Sequence, residues 1–206
     1  MRQMQIDIEQ QQWIEAHADV PCLHVGCGEK PIPWAVNIDP NASRKRWRDF
    51  DYDVCDLPFG DACFVSIVSS HVLPAIYDLD RAMAEMIRVL KPGGIMAHVI
   101  PDWRYAPQRK DTRHEWDYQH QGWYGPEEFR VYVARFLEIE TLELANFPGF
   151  RWSFKWLARK ETGAGIESAE ICRAASEGPD QYVVCGTAQS PVETELGWGR
   201  NPLLLG

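Results

Sequence analysis

Apolar residues along this chain follow two rhythms: short unbroken runs that stop at glycine, aspartate or serine, and longer stretches where they recur every three or four positions. The first kind reads as buried strand and the second as amphipathic helix. Residues 1–20 set Ile6, Ile8, Trp13 and Ile14 among Gln, Glu and Asp, which predicts an N-terminal helix. Runs at 21–25, 34–38 and 64–68, with a weaker one at 52–55, predict strands that end at Gly26-Cys27-Gly28, Asp39-Pro40, Ser69-Ser70-His71 and Asp56-Leu57-Pro58. Leu79, Ala82, Met83, Met86, Ile87 and Leu90 then recur at helical spacing behind an Asp78 cap, and Pro92-Gly93-Gly94 stops them. A strand from Ile95 to Ile100 closes at Pro101-Asp102. Strands alternating with a helical crossover predict an α/β fold around a mostly parallel sheet.

Beyond Asp102 the pattern changes. Residues 103–125 are polar, basic and aromatic without a clean period, which predicts an irregular cap or lid. Pro126-Glu127-Glu128-Phe129 opens a helix with proline and acids in its first turn. Alternation over 136–147 and the run 182–187 predict two late strands, with 148–180 showing no dominant period. One domain over 1–189 and a tail over 190–206 account for the 206 residues, 45% of them hydrophobic. The six cysteines contain no C-x-x-C pair, so thiols are expected rather than a zinc ribbon or redox site, and no metal is expected. A net charge of -9 argues against broad nucleic-acid binding. With neither a membrane-spanning run nor a signal-type leader in this sequence, the expected location is the cytoplasm, without membrane attachment.

Ligands of an open parallel sheet bind beyond the carboxyl ends of its strands. Those ends carry Gly26-Cys27-Gly28, Asp39, Asp56, Ser69-Ser70-His71 and Asp102. A glycine pair admits close approach of backbone to a ligand, and an acid ending the second strand suits a ribose diol. A nucleoside-containing cofactor follows. Glu29-Lys30-Pro31-Ile32-Pro33 lacks the third glycine of the dinucleotide fingerprint, and its prolines deny a pyrophosphate the helix N-terminus it needs. S-adenosylmethionine, cationic and free of phosphate, suits the loop and Glu29 better.

Val25-Gly26-Cys27-Gly28, Asn37-Ile38-Asp39, Asp56-Leu57-Pro58-Phe59, Ser70-His71-Val72-Leu73 and Arg88-Val89-Leu90-Lys91-Pro92-Gly93-Gly94 together resemble the type 11 group of class I S-adenosylmethionine-dependent methyltransferases. The resemblance covers roughly 21–102. It implies a Rossmann-like class I methyltransferase fold: a seven-stranded, mostly parallel sheet with an antiparallel C-terminal edge. It also implies that Gly26 and Gly28 cradle the methionine part of the cofactor, that Asp39 binds the ribose, and that Asp56 with Leu57 contacts the adenine. Cys27, Glu29, Pro40, Ser69, Ser70 and His71 complete the expected cofactor shell. Only ten residues separate Gly28 from Asp39, so the first crossover helix is largely missing. A similar-looking subset of the group shares this shortening, and several of its members lie among cell-surface polysaccharide genes. Pro74-Ala75 stands where the group more often has Glu-His.

The expected activity is methyl transfer to a small-molecule or saccharide acceptor. Position makes His71 and Asp102 the candidate general bases. Trp103, Tyr105, Trp116 and Trp123 are candidates for contact with the acceptor. The alternative is a catalytically inactive nucleoside-binding or scaffold protein that keeps the fold.

Overall fold

The sheet has six strands in the order β2-β1-β3-β4-β6-β5, where β1 is Cys22–Val25, β2 Val36–Ile38, β3 Phe64–Ser70, β4 Leu90–Pro101, β5 Ile139–Asn146 and β6 Ser153–Lys160. The first four run parallel, and the β4–β6 and β5–β6 pairs are antiparallel. A computed structural model describes residues 2–41, 48–102, 104–105, 125–148 and 152–162. The predicted seventh strand, at 182–187, lies outside these residues, as does most of the cap at 103–125.

Period-two alternation sorts the strand side chains onto two faces. Leu23, Val25, Ile67, Met96, Ile100, Phe154 and Trp156 form one core with helices α2 (Leu79–Val89) and α3 (Pro126–Val133). Cys22, Val68, Ala97 and Val99 form the other with Ile14 and Ala18, on and just beyond helix α1 (Arg2–Glu15). Asp78 caps α2 by accepting from the Arg81 amide at 3.1 Å, as its spacing predicts.

Three elements differ from the sequence expectation. Residues 52–55 form a turn, not a strand; the Asp53 carboxylate accepts the Cys55 amide at 2.9 Å, and such Asx contacts compete with extended pairing. Only a single parallel bridge, Ile38 to Phe50, extends that edge. Strand β4 begins at Leu90 rather than Ile95. Phe64 pairs with Leu90 and Ser66 with Ile95, so Lys91–Gly94 bulge out of the ladder, where Pro92 needs no partner for an N–H it lacks. The strand that completes the antiparallel edge is β6, inside the stretch that showed no dominant period. Phe154 and Trp156 are fully buried on it, while Lys155 pairs with Glu143 at 2.7 Å on the other side.

Arg88 explains why two of the sequence motifs occur together. Its guanidinium, forked on Glu85 at 2.8 Å, also donates to the carbonyls of Leu57 at 2.9 Å and Phe59 at 2.7 Å and to Asp61 at 2.9 Å. Glu85 in turn accepts the Leu57 amide at 2.9 Å. The loop 56–61 is thereby strapped to α2 at the start of the Arg88–Gly94 run.

Candidate functional site

The carboxyl ends of β1, β2 and β3 meet around the glycine loop. The amides of Gly26 and Cys27 both donate to the Ile38 carbonyl, at 2.8 and 3.2 Å, which fastens the loop to β2. Gly26 (φ +62°) and Gly28 (φ +57°) are left-handed, and a Cβ on Gly26 would stand 2.4 Å from the Val72 side chain. Both features require glycine at position 26. Asp39, 4% exposed, spans the lip of the loop: Oδ2 accepts the Gly28 amide at 3.0 Å and Oδ1 the Asn41 amide at 2.9 Å, while its carbonyl accepts from Arg48.

Asn37 replaces the missing crossover helix. Its buried Oδ1 accepts from the Ile32 amide at 2.9 Å and from His24 Nδ1 at 3.0 Å; its Nδ2 donates to the carbonyls of Ile32 at 3.0 Å and Ala35 at 2.8 Å and to Asp49 at 3.2 Å. One side chain thus anchors the loop between Gly28 and β2. The sequence signal was the length of that loop: a segment too short for a helix still has buried amides to satisfy.

Two adjoining cavities open beside these residues. The larger, about 480 Å³, is lined by Asp39, Pro40, Asn41, Tyr52, Asp53, Val54 and Ile76 among others. The smaller, about 270 Å³, is lined by Asp7, Gln10 and Gln11 of α1 together with His24, the loop 26–30 and the β3 end. Gly26, Ser70 and His71 line both, so the two form one elongated trough. The larger has the size and mixed polarity of a small-molecule site. The phenol of Tyr52 stacks on Phe50 at 4.9 Å between ring centres, which gives that wall a flat aromatic face.

Burial shapes the imidazoles near the trough. It holds His24 down to about 4, so the ring is neutral at pH 7; its Nδ1 proton lies toward Asn37. His71 is also lowered from the ordinary histidine value, first by burial. Its Nε2 lies 2.8 Å from Ser153 Oγ and its Nδ1 3.2 Å from Ser70 Oγ, and its φ of +57° is unusual for a residue with a side chain. Such strain is common where a side chain must be aimed.

The sequence candidates separate when placed on this geometry. Gly26, Cys27, Gly28, Glu29, Asp39, Pro40, Ser70 and His71 line the trough. Ser69 points to the opposite face and bonds the buried His98 at 2.7 Å. Asp56, 86% exposed, pairs with Arg81 at 3.7 Å and Leu57 sits in the core; Asp53 and Val54 line the cavity in their stead, because the turn at 53–56 rotates the later residues away. Asp102 is fully buried and forked by Arg104, which donates from Nε at 3.0 Å and Nη2 at 2.8 Å, so it lines neither cavity. Tyr105, 43% exposed, lies against the Arg104 guanidinium; Trp103, Trp116 and Trp123 lie outside the described residues. Gln10, Asn37, Tyr52 and Asp53 are the site residues that sequence patterning did not single out.

Comparison with known proteins matches residues 34–98 to a methyltransferase domain family. Residues 34–98 are thus similar to a methyltransferase domain. A demethylmenaquinone methyltransferase from Thermobifida fusca is 39% identical over 66 residues, 32% of this chain and 27% of that one, so the chain matches about a quarter of that relative's length. Among solved structures, geranyl diphosphate C-methyltransferase from Streptomyces coelicolor superposes with TM-score 0.57 at 11% identity, covering 77% of this chain and 81% of that one. An S-adenosylmethionine-dependent methyltransferase from Thermotoga maritima gives 0.55 at 16%, covering 75% and 88%. The [4+2]-cyclase SpnF gives 0.54 at 16%, covering 75% and 81%. These likenesses show that the chain shares the Rossmann-like α/β fold of these proteins. Among the described residues, no helix is long and apolar enough to cross a membrane.

Proposed function

We propose that this protein is an S-adenosylmethionine-dependent methyltransferase acting on a small-molecule acceptor. The observation that carries the reading is the trough itself: two joined cavities along the ends of β1–β3, with the left-handed Gly26 shared by both, the left-handed Gly28 on the smaller and the buried Asp39 carboxylate on the wall of the larger. The residues fit a nucleoside bearing an amino-acid tail. Asp39, on the wall of the larger cavity, stands where the ribose hydroxyls would lie, Tyr52, Val54 and Ile76 give a partly apolar seat to the base, and the smaller cavity takes the tail. When bound, S-adenosylmethionine supplies an electrophilic methyl group on a cationic sulfur.

The chain's own contribution is then to align the acceptor, exclude water and manage one proton. His71 borders both cavities and is neutral at pH 7, so it takes the proton of an O–H or N–H acceptor, with the Ser153 and Ser70 hydroxyls orienting the ring. Asp102 is committed to Arg104 and is assigned no proton transfer. The named activity of the Thermobifida relative favours a ring-bearing acceptor, such as the reduced quinol form of a quinone, over a saccharide. The residues 103–125 are proposed to cover that acceptor, and the cytoplasm is the proposed location.

A second reading, nucleoside binding without methyl transfer, is supported by two observations: a structural neighbour is named a cyclase, and buried Pro74 stands in the 3₁₀ turn after His71 where the resembling group more often has an acid. Calorimetry separates the readings from each other and from a dinucleotide site. S-adenosylmethionine and S-adenosylhomocysteine should bind and NAD should not; Asp39→Ala, checked for folding, should weaken binding by roughly 1.5–3 kcal/mol, about tenfold to a hundredfold. NAD binding as tight as S-adenosylmethionine refutes the cofactor assignment. Cofactor binding with no product from a quinol, amine, carboxylate and sugar panel moves the conclusion to the second reading.

A further inference from the structure

Helix α1 packs against the sheet through Ile14, yet four residues earlier it carries a polar side chain that its packing does not require. Gln10 is 3% exposed and lines the smaller cavity together with Gly26, Cys27 and Gly28. Its amide nitrogen has no hydrogen-bond partner among the described residues. A buried amide donor left unpaired carries an uncompensated desolvation cost, so an apolar residue would stabilise this position unless something else uses the donor. The neighbouring polar groups narrow what that can be. The Gly28 amide is taken by Asp39. Asp7 and Glu29, both on the cavity wall, supply negative charge suited to an ammonium group. Lys30, on the same wall, is exposed to solvent and so offers a weaker, screened attraction to an anion.

Resting on the cofactor reading above, we infer that Gln10 reads the amino-acid end of the cofactor: its side-chain NH2 donates to the α-carboxylate, while the α-ammonium lies toward the acidic groups of the same cavity. Helix α1 is then part of the binding site. The orphaned donor gains its partner when ligand arrives, and the helix turn that carries Gln10 becomes more rigid with it.

The test compares two ligands that differ only in this end of the molecule: S-adenosylhomocysteine and 5′-methylthioadenosine, which lacks the amino-acid group. Calorimetry is run on the full chain, on Gln10→Met, which keeps the length of the side chain, and on Gln10→Glu, which sets a like charge against the carboxylate. Gln10→Met is expected to weaken S-adenosylhomocysteine about tenfold and Gln10→Glu more, with 5′-methylthioadenosine unchanged in both. Unchanged S-adenosylhomocysteine affinity, or an equal loss for both ligands, overturns the assignment. A loss seen in Lys30→Gln and not in Gln10→Met transfers the role to Lys30 and also overturns it. If the unaltered protein binds neither ligand, the cofactor reading itself fails; if it binds 5′-methylthioadenosine as tightly as S-adenosylhomocysteine, only the Gln10 inference does.

Discussion

Replacing Asn37 with leucine keeps the volume of the side chain and removes its polar atoms, so it isolates what the amide does for the shortened first crossover. Five hydrogen bonds are lost: from the Ile32 amide and His24 Nδ1 to Oδ1, and from Nδ2 to Ile32, Ala35 and Asp49. A net worth near 1 kcal/mol each sets one scale, and the buried Ile32 amide and Ala35 carbonyl left unpaired add about 1–3 kcal/mol apiece unless the loop swings out to water. Partial relaxation brings the expected total to about 3–5 kcal/mol, a large share of the stability of a typical domain. The same loop carries Gly28 at one end and leads to Asp39 at the other, so S-adenosylhomocysteine affinity should fall about tenfold in molecules that remain folded. Urea unfolding monitored by tryptophan fluorescence measures the first quantity, and calorimetry below the transition the second. A stability loss under about 1 kcal/mol with unchanged affinity would refute the claim that one amide stands in for the absent helix.

Acid should destabilise the fold before the carboxylates titrate. Burial holds His24 down to about 4 and His98 down to about 3, against an unfolded value near 6.5, so below that pH the unfolded chain binds more protons and stability falls, by at most about 1.4 kcal/mol per pH unit per imidazole. The contribution is complete above pH 6.5; the double change Ser69→Ala with His98→Phe, which leaves no orphaned hydroxyl, should flatten the slope between pH 6.5 and 5 in urea titrations, and an unaltered slope counts against a buried neutral His98. Arg88→Met should release the carbonyls of Leu57 and Phe59 and lower stability by about 1–2 kcal/mol, a discounted figure because the side chain is 31% exposed. Hydrogen exchange should then quicken at the Leu57 amide, and no local change there excludes the strap. Gly26→Ala should abolish or severely weaken cofactor binding through the clash with Val72, and adding Val72→Ala should recover only part of it, since the left-handed φ at position 26 persists; full recovery would mean that backbone conformation is immaterial there.

Strands β1 and β3, helices α1, α2 and α3, and the clustering of Gly26, Gly28, Asp39 and His71 at one edge could be read from the chain, because uninterrupted apolar runs, capping residues and glycines each report a local physical demand. Burial on both faces of a parallel strand leaves little room for polar residues, so a strand end shows as the first glycine, aspartate or serine after the run. Strand β6 did not show this way, since Lys155 and Arg159 interrupt it and its identity comes from pairing with β4 across more than fifty residues. The roles of the acids were equally hidden. Asp53 and Asp56 sit three positions apart in one turn, and only the rotation of that turn sends the first toward the cavity and the second to solvent. Asp102 ends its strand as expected, but the backbone folds Arg104 back onto it and consumes the carboxylate. Gln10 is an ordinary helix residue by sequence, and it becomes a buried donor at a cavity only when α1 docks beside the glycine loop. Local chemistry is written in neighbouring residues, whereas which polar atom faces a ligand and which is spent on a partner depends on distant segments meeting, and only the packed chain decides that.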